Sequence, residues 1–341
     1  MKSLTFFNEK GGTGKSTFTM MYASWLQYIH GVRVTVVDFN ERLEKYRNDE
    51  IEARKNYDRE MKAKYDNDMA AYEQYLLEKK QGIEPEMPKN AFQKRKPSEP
   101  EYLMDKIRRV TPYRIISEDI QYIEDKIRSK QATTAYSKWV QSLCLNGTFE
   151  DTDVLIFDFA GSIDDGKYLD LFSRGMIGMT VIPVDNDKQA EYGAERITNV
   201  LTKYSNNFYS FINKVQPSQA KKDSSIIDLA KGYIERGLIL LPDIVAYSAK
   251  MDKRGDEVDM LRSTLEYPEW EKGFHKKDKD LGFHNLFFDI SCLLNNTKDV
   301  LETEKTELEF LSNIGKVNDP KRQLKGTPLP DYEMSNAFYE L

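Results

Sequence analysis

Hydrophobic residues near the N-terminus follow first a strand pattern and then a helix pattern. Residues 4–7 (Leu-Thr-Phe-Phe) form a strand-like run, a glycine-rich turn follows, and apolar residues recur at helical spacing over 15–29, where Gly31 ends the pattern. Residues 32–37 are nearly all β-branched, which is typical of a strand buried on both faces of a parallel sheet. The first part of the chain therefore predicts a strand, a helix and a second, parallel strand.

Short apolar runs of the same kind recur later and are separated by segments long enough for helices. They span 154–157, 179–184, 208–212 and 238–241. Strands that alternate with helices predict an α/β fold, with a doubly wound, mostly parallel sheet and helices on both faces.

Residues 42–131 interrupt this alternation. Lys, Glu, Asp and Tyr dominate there, and apolar residues recur at steps of three and four, as one stripe of a long helix does. The stripe comprises Tyr57, Met61, Tyr65, Met69, Tyr72 and Leu76. Prolines between 85 and 100 break the pattern, and helical spacing returns around 118–127. We predict a charged helical insertion, which is either a solvated arm or a docking element for a protein partner.

The insertion divides one core domain, formed by residues 1–41 and 132–313, and residues 314–341 are predicted to form an extended tail. With 341 residues, 40% of them hydrophobic and 31% charged, the chain can bury one sizeable core and carry a large exposed addition. The net charge of −6 provides no global cationic field, so contact with DNA would require a local basic face.

Cysteine content and hydropathy narrow the class of protein further. The sequence has two cysteines, Cys144 and Cys292, and neither belongs to a C-x-x-C pair, which argues against structural zinc, iron–sulfur and disulfide frameworks. No stretch approaches eighteen apolar residues. We therefore expect a cytoplasmic protein without a membrane partner.

Residues 8–17 read Asn-Glu-Lys-Gly-Gly-Thr-Gly-Lys-Ser-Thr and lie between the first strand and the first helix. The glycines free consecutive backbone N–H groups to point inward, toward the positive end of the following helix, and this arrangement binds phosphate. We expect Lys15 to reach the β- and γ-phosphates of ATP, the Ser16 hydroxyl to bind Mg²⁺ and Thr17 to steady the α-phosphate side. The remaining members of the predicted nucleotide-binding loop are Gly11, Gly12, Thr13 and Gly14.

This loop departs from the ordinary phosphate-loop pattern at one position. Glu9 stands where G-x-x-x-x-G-K-S has its first glycine, whereas K-G-G-x-G-K-S-T is satisfied throughout. The sequence therefore resembles the deviant Walker A motif of the ParA/MinD family of partitioning ATPases. The resemblance is strong over the N-terminal strand, loop and second strand, and weaker over 136–296. It implies that Lys10 crosses a dimer interface to the partner's nucleotide, so that the chain forms a homodimer when ATP is bound.

Two aspartates match the carboxylate positions of that family. Asp38 fits the first aspartate of D-x-D-x-Q, but Asn40 stands at the second, which holds the attacking water in relatives. Asn40 can orient water through its amide but carries no charge to polarise it, so we expect slow hydrolysis, unless Glu41 compensates or water is positioned from elsewhere. Asp158 ends an apolar run, as a Walker B aspartate does, so the predicted metal site consists of Ser16, Asp38 and Asp158.

The resemblance implies further contacts to the nucleotide. Gly161 can bring a backbone N–H near the γ-phosphate. Asn213, Pro242 and Asp243 match the positions where the family's strands end against adenine, although Asn and Pro after strands are also ordinary turn formers.

The resemblance implies an ATPase that acts in DNA partitioning or maintenance of a plasmid or mobile element, with a protein activator as a further partner. Several basic residues are candidates for non-specific contact with DNA: Lys221, Lys222, Lys250, Lys253 and Arg254. They cluster in the sequence, and the alternative is that they belong to a solvated loop. The alternative function is a metabolic enzyme of the dethiobiotin-synthetase-like type, which transfers the γ-phosphate to a small acid and needs a concave substrate site beside the nucleotide.

Overall fold

The computed structural model describes residues 1–82, 96–100, 113–117, 134–159, 166–204, 207–215, 223–246 and 283–295. Contacts between Cα atoms divide the chain into two compact units. One consists of Met1–Lys45 with Pro112–Leu341, and the other is Tyr46–Thr111. The candidate site described below belongs to the first unit.

The core of the first unit is a parallel sheet, in which seven strands lie within the described residues. In chain order they are β1 (Lys2–Phe6), β2 (Val34–Asp38), β3 (Arg114–Ile116), β4 (Val154–Asp158), β5 (Met179–Val184), β6 (Phe208–Val215) and β7 (Leu240–Ala246). Their spatial order is β3-β2-β4-β1-β5-β6-β7, and every adjacent pair is parallel. The strand order places β1 at the centre, with β4 on one side and β5 on the other.

Helices cover both faces of this sheet. They are α1 (Lys15–Ser24), which continues into a π-helical turn (Trp25–Ile29), α3 (Ala135–Leu145), α4 (Gly166–Ser173), α5 (Lys188–Leu201), α6 (Asp223–Glu235) and α7 (Phe283–Leu294). The remaining described helix, α2 (Leu43–Lys80), begins in the first unit and continues into the second. One hydrophobic cluster joins α3, α4, α5 and α6 to one face, and a second joins α1 and α7 to the other. The predicted doubly wound, parallel α/β fold is therefore confirmed.

Three strands differ from the prediction. The sequence analysis did not predict β3, which is short, lies within the predicted insertion range 42–131 and pairs with β2. Strand β6 continues to Val215 and β7 to Ala246, so Asn213, Pro242 and Asp243 lie inside strands rather than after them. Apolar residues resume beyond these three positions, and a register irregularity between Ile212 and Val215 accommodates Asn213 in β6.

The long helix α2 contains the whole predicted stripe. Met61, Tyr65, Met69 and Tyr72 are half-buried, whereas Tyr57 and Leu76 are exposed. The predicted helical residues 118–127 and the tail 314–341 lie outside the described part of the chain. Among the described residues, no helix is long and apolar enough to cross a membrane.

Candidate functional site

The glycine-rich loop connects β1 to α1 at the centre of the sheet. Gly12 and Gly14 have φ values of 79° and 93°, in the left-handed region that glycine adopts most readily. A Cβ atom at Gly14 would lie 3.1 Å from the Phe18 ring, so the close approach of the loop to α1 also favours glycine there. Lys15 is the first residue of α1. The free amides of the helix start therefore adjoin the loop, which is the arrangement that binds phosphate.

Two asparagines fix the two ends of this loop. The Asn8 Nδ2 atom donates to the Pro183 carbonyl at 2.9 Å and to the Ala190 carbonyl at 3.3 Å, and the Lys10 N–H donates to Asn8 Oδ1 at 3.0 Å. The Asn213 Nδ2 atom donates to the Thr13 carbonyl at 2.9 Å. The structure thus brings Asn213 to the loop from inside β6, and it ties the loop to β5, α5 and β6.

Both lysines of the loop are engaged within the chain. The Lys15 ammonium donates to the Lys10 carbonyl at 3.0 Å and thereby lies back over the loop. Burial lowers the pKa of Lys15, and the nearby Asp158 carboxylate acts in the opposite direction. The Lys10 ammonium lies 3.0 Å from Asp187 Oδ2 and 3.6 Å from Asp185 Oδ1.

A second cluster of polar groups lies at the carboxyl ends of β2 and β4. Asp38 and Asp158 are register partners on these adjacent strands, and both are fully buried. The Ser16 hydroxyl donates to Asp158 Oδ2 at 2.8 Å, and the Thr19 hydroxyl donates to Asp158 Oδ1 at 3.4 Å. Burial and the nearby charge of Asp38 raise the pKa of Asp158 to about 7.

Asp38 is also bonded to the backbone that follows it. Its Oδ1 accepts the Asn40 N–H at 2.8 Å, and its Oδ2 accepts the N–H groups of Arg42 and Leu43 at 2.9 and 2.8 Å. Burial raises the pKa of Asp38, and these hydrogen bonds oppose the shift. Asp38 therefore holds the first turn of α2 in place.

The chemistry of this cluster fits Mg²⁺. Ser16 and the two carboxylates offer hard oxygen ligands, and a divalent cation would offset the repulsion between Asp38 and Asp158 that contributes to the raised pKa of Asp158. Among the described residues, no group of three or more His, Cys, Asp and Glu side chains forms a metal site. One hydroxyl and two carboxylates suit Mg²⁺, which usually keeps several water ligands and binds substrate phosphates.

The structure brings together most of the predicted site. The contacts above link Asp38, Asp158 and Asn213 to four residues of the loop and helix start, Lys10, Thr13, Lys15 and Ser16, and Asn40 joins them through its backbone. Gly11, Gly12, Gly14 and Thr17 lie in the same continuous segment. Pro242 and Asp243 lie inside β7, where Asp243 is fully buried, and adenine contact by Asn213, Pro242 and Asp243 stays a prediction. Gly161 and the basic candidates at 221, 222, 250, 253 and 254 lie outside the described residues.

The sequence analysis missed four residues around the loop, which are Asn8, Asp185, Asp187 and Gly193. Gly193 lets α5 approach the loop, because a Cβ atom there would lie 2.8 Å from Asn8 Oδ1. Asp185 and Asp187 directly follow β5, and side chains at the carboxyl ends of parallel strands are the usual site residues of open α/β sheets. That rule could have identified the two aspartates, whereas nothing local in the sequence marks Gly193.

One protein family matches the chain over most of its length. The family model of the CobQ/CobB/MinD/ParA nucleotide binding domain matches residues 4–318. No curated protein shows significant sequence similarity to the chain.

Several solved structures resemble the chain at low identity. An ATP complex of a Cyanothece McdA variant is 15% identical, with 82% of this chain and 98% of that chain covered and a TM-score of 0.45. The MinC:MinD cell division complex of Aquifex aeolicus is 14% identical over 83% and 100% of the chains, with a TM-score of 0.42. Cobyrinic acid a,c-diamide synthase from Mycobacterium smegmatis with ADP and magnesium is 12% identical over 82% and 99%, with a TM-score of 0.43. Such distant likenesses do not decide between functions.

Proposed function

Because the chain belongs to the CobQ/CobB/MinD/ParA nucleotide-binding domain family, we propose that it is a ParA-like ATPase that binds ATP with Mg²⁺ and dimerises around the nucleotide. One observation carries this proposal. The glycine-rich loop, Ser16 and the buried Asp158 converge at the start of α1, and Lys10 lies at the rim of the same loop. The loop offers amides to phosphate, and the carboxylates offer oxygen ligands to Mg²⁺.

When nucleotide binds, the Lys15 side chain has to change its hydrogen-bond acceptor. The Lys15 ammonium, which donates to the Lys10 carbonyl, exchanges that acceptor for phosphate oxygens. Because Lys15 is partly buried, its charge is poorly solvated in the absence of ligand, and pairing with phosphate is correspondingly favourable. Mg²⁺ would be held by Ser16, Asp38 and Asp158, and its chemistry is to neutralise charge on the phosphates.

Hydrolysis is expected to be slow. Asn40 lies in the loop after Asp38, where relatives carry an aspartate, and its amide orients water without a negative charge. An Asn40→Asp variant is expected to turn over ATP faster than the parent. A rate no higher than that of the parent would remove Asn40 from this explanation.

Dimerisation would depend on Lys10. In the single chain its ammonium is paired with Asp187 and Asp185, so it must leave both carboxylates before it reaches a partner's nucleotide. We propose that ATP, by binding the loop next to Lys10, favours this exchange and thereby joins two copies of the chain.

The cellular role proposed for this ATPase is DNA partitioning or maintenance of a plasmid or mobile element. In this role the dimer binds DNA without sequence preference, and a protein activator stimulates hydrolysis. Basic residues at 221, 222, 250, 253 and 254 are the proposed DNA contacts, and such binding would weaken steeply with salt. Retained DNA binding after Lys250, Lys253 and Arg254 are changed to glutamate would exclude that patch.

Solution mass measured by light scattering tests the central step. The parent protein is compared with Lys10→Ala in Mg²⁺-ATP and in Mg²⁺-ADP. A doubled mass with ATP alone, lost in Lys10→Ala, supports the proposal. If ATP binds but the mass never changes, Lys10 does not act across an interface, and a metabolic enzyme that transfers the γ-phosphate to a small acid becomes the better account.

A further inference from the structure

Three phenylalanines directly adjoin the three segments of the candidate site. Phe7 follows β1 and precedes Asn8, Phe39 follows Asp38, and Phe159 follows Asp158. All three side chains are buried, with at most 5% of the surface of each exposed. The phosphate loop and the two loops that begin at the carboxylates therefore each start from a buried aromatic ring.

These rings touch one another. The Phe39 and Phe159 rings stack with centroids 5.3 Å apart and planes at 20°, and the Phe7 ring meets the Phe159 ring edge-on at 5.7 Å. Two tyrosines cover the pair, with Tyr136 4.6 Å from Phe39 and Tyr168 4.5 Å from Phe159, centroid to centroid. Ring pairs at these distances stabilise the packing by more than the burial of their apolar surface alone. The three loops are thus joined through one packed cluster, which we call the aromatic cluster.

The backbone joins the two carboxylate loops at the same place. The Phe39 N–H donates to the Asp158 carbonyl at 2.9 Å, which continues the parallel register of β2 and β4 by one step. Successive side chains of a strand point to opposite faces. The carboxylates of Asp38 and Asp158 consequently lie on one face of the sheet, and the rings of Phe39 and Phe159 pack with the hydrophobic cluster of the other face.

This arrangement limits how far the two carboxylates can move apart. A change in their separation requires the strand ends to pivot, and such a pivot displaces the stacked rings from a close-packed cluster. The Asp38 carboxylate is also held by the amides of Asn40, Arg42 and Leu43. The pair is therefore set before any ligand arrives.

We propose that Phe39 and Phe159 are positioning residues, which hold Asp38 and Asp158 at one separation and so couple the binding of Mg²⁺ to the binding of nucleotide. This inference rests on the proposed Mg²⁺-ATP site. A preorganised pair of carboxylates loses little freedom when the ion binds, whereas a loosened pair loses more and supports the ion less well. Contacts of the glycine-rich loop to phosphate do not include these carboxylates, so ATP affinity should fall less in the absence of Mg²⁺ than in its presence.

The test measures the dissociation constant of ATP with excess Mg²⁺ and with EDTA, in the parent protein and in Phe39→Leu and Phe159→Leu. The Mg²⁺ factor is the dissociation constant measured with EDTA divided by the dissociation constant measured with excess Mg²⁺. Phe208→Leu is the matched control, because Phe208 is buried to the same degree as Phe39 but starts β6, at the end of the sheet opposite the site. Urea unfolding of each variant measures its loss of stability, so that the comparison is made between variants with similar losses.

The expected result is a Mg²⁺ factor about two- to tenfold smaller in Phe39→Leu and Phe159→Leu, as the loss of one aromatic pair predicts, and unchanged in Phe208→Leu. If a leucine variant does not fold, the methionine variant at the same position, Phe39→Met or Phe159→Met, takes its place in the comparison. Methionine removes the ring but has a similar side-chain volume.

Two results would overturn the inference. One is a parental Mg²⁺ factor in both site variants, and the other is an equal loss in Phe208→Leu, which would make the effect one of core packing in general. Failure of the parent protein to bind ATP under either condition is distinguishable from both, since it would overturn the proposed function and the inference with it.

Discussion

Replacing Gly193 by alanine places a methyl group where α5 meets the phosphate loop. The added Cβ atom would lie 2.8 Å from Asn8 Oδ1 and 3.5 Å from the Glu9 Cβ atom. Asn8 cannot turn aside without loss, because its amide donates to the Pro183 and Ala190 carbonyls and its Oδ1 accepts the Lys10 N–H. The substitution therefore displaces the start of the loop that we propose binds ATP.

Two opposing contributions determine how Gly193→Ala changes the free energy of unfolding. Overpacking of this kind costs about 1–3 kcal/mol. Replacing a glycine in a helix interior by alanine stabilises the helix by about 1 kcal/mol. Gly232 in α6 is the matched control, because a Cβ atom there meets nothing within 4 Å. We expect Gly232→Ala to gain the helical contribution alone, so that the two variants differ by about 1–3 kcal/mol in the free energy of unfolding.

Urea unfolding of both variants measures this difference, and titration with Mg²⁺-ATP measures its effect on the site. Gly193→Ala is expected to be the less stable of the two and to bind ATP more weakly than the parent, whereas Gly232→Ala binds as the parent does. If Gly193→Ala gains as much stability as Gly232→Ala and binds ATP normally, the close packing of α5 on the loop does not position it, and this reasoning is refuted.

Three further predictions follow from single contacts. Asp187→Asn keeps the N-cap of α5 but loses the nearer of the two charges that hold Lys10, so light scattering should detect dimers at lower ATP concentration; a higher requirement would contradict this. Asn213→Ala removes the donor to the Thr13 carbonyl and should weaken ATP binding by about five- to tenfold in a titration, whereas parental affinity would show that the bond does not support the loop. Burial lowers the pKa of His30 to about 4, so at this residue the unfolded chain binds more protons below its ordinary pKa of about 6.5, and the contribution of His30 to stability should fall as pH drops from about 6.5 toward 4. The raised pKa of Asp158 acts in the opposite direction over the same range, so the parent is compared with His30→Gln at each pH. In urea unfolding the free energy of unfolding of the parent should fall relative to that of His30→Gln over this pH range, and a constant difference would exclude the contribution of His30.

The part of the site that could be predicted from the sequence is the part that is contiguous in the chain. Gly11, Gly14, Lys15 and Ser16 lie in one continuous segment from the loop after β1 into the start of α1, and their roles depend on spacing that a sequence displays directly. Asp158 could be predicted because an apolar run ends at it, and in a parallel sheet such ends converge.

The remaining contacts depend on packing between distant segments. Asn213 is predicted from the sequence to contact adenine after the end of a strand, with a turn role as the alternative, but the strand continues past it and its amide donates to the Thr13 carbonyl. The pairing of Lys10 with Asp187 and the approach of Gly193 to Asn8 join residues that are far apart in sequence, and no local pattern specifies them. Strand β3 has three residues, too few for a periodicity to be recognised among charged neighbours.

Titration calorimetry of Mg²⁺-ATP into the parent protein and into Lys15→Ala tests the account most directly. We predict one nucleotide bound per chain and an affinity at least about tenfold lower in Lys15→Ala, since hydrogen bonds to charged groups contribute about 1.5–3 kcal/mol. Equal affinity in the two proteins, or no binding by the parent, would contradict the claim that the loop at residues 10–17 is a site for ATP.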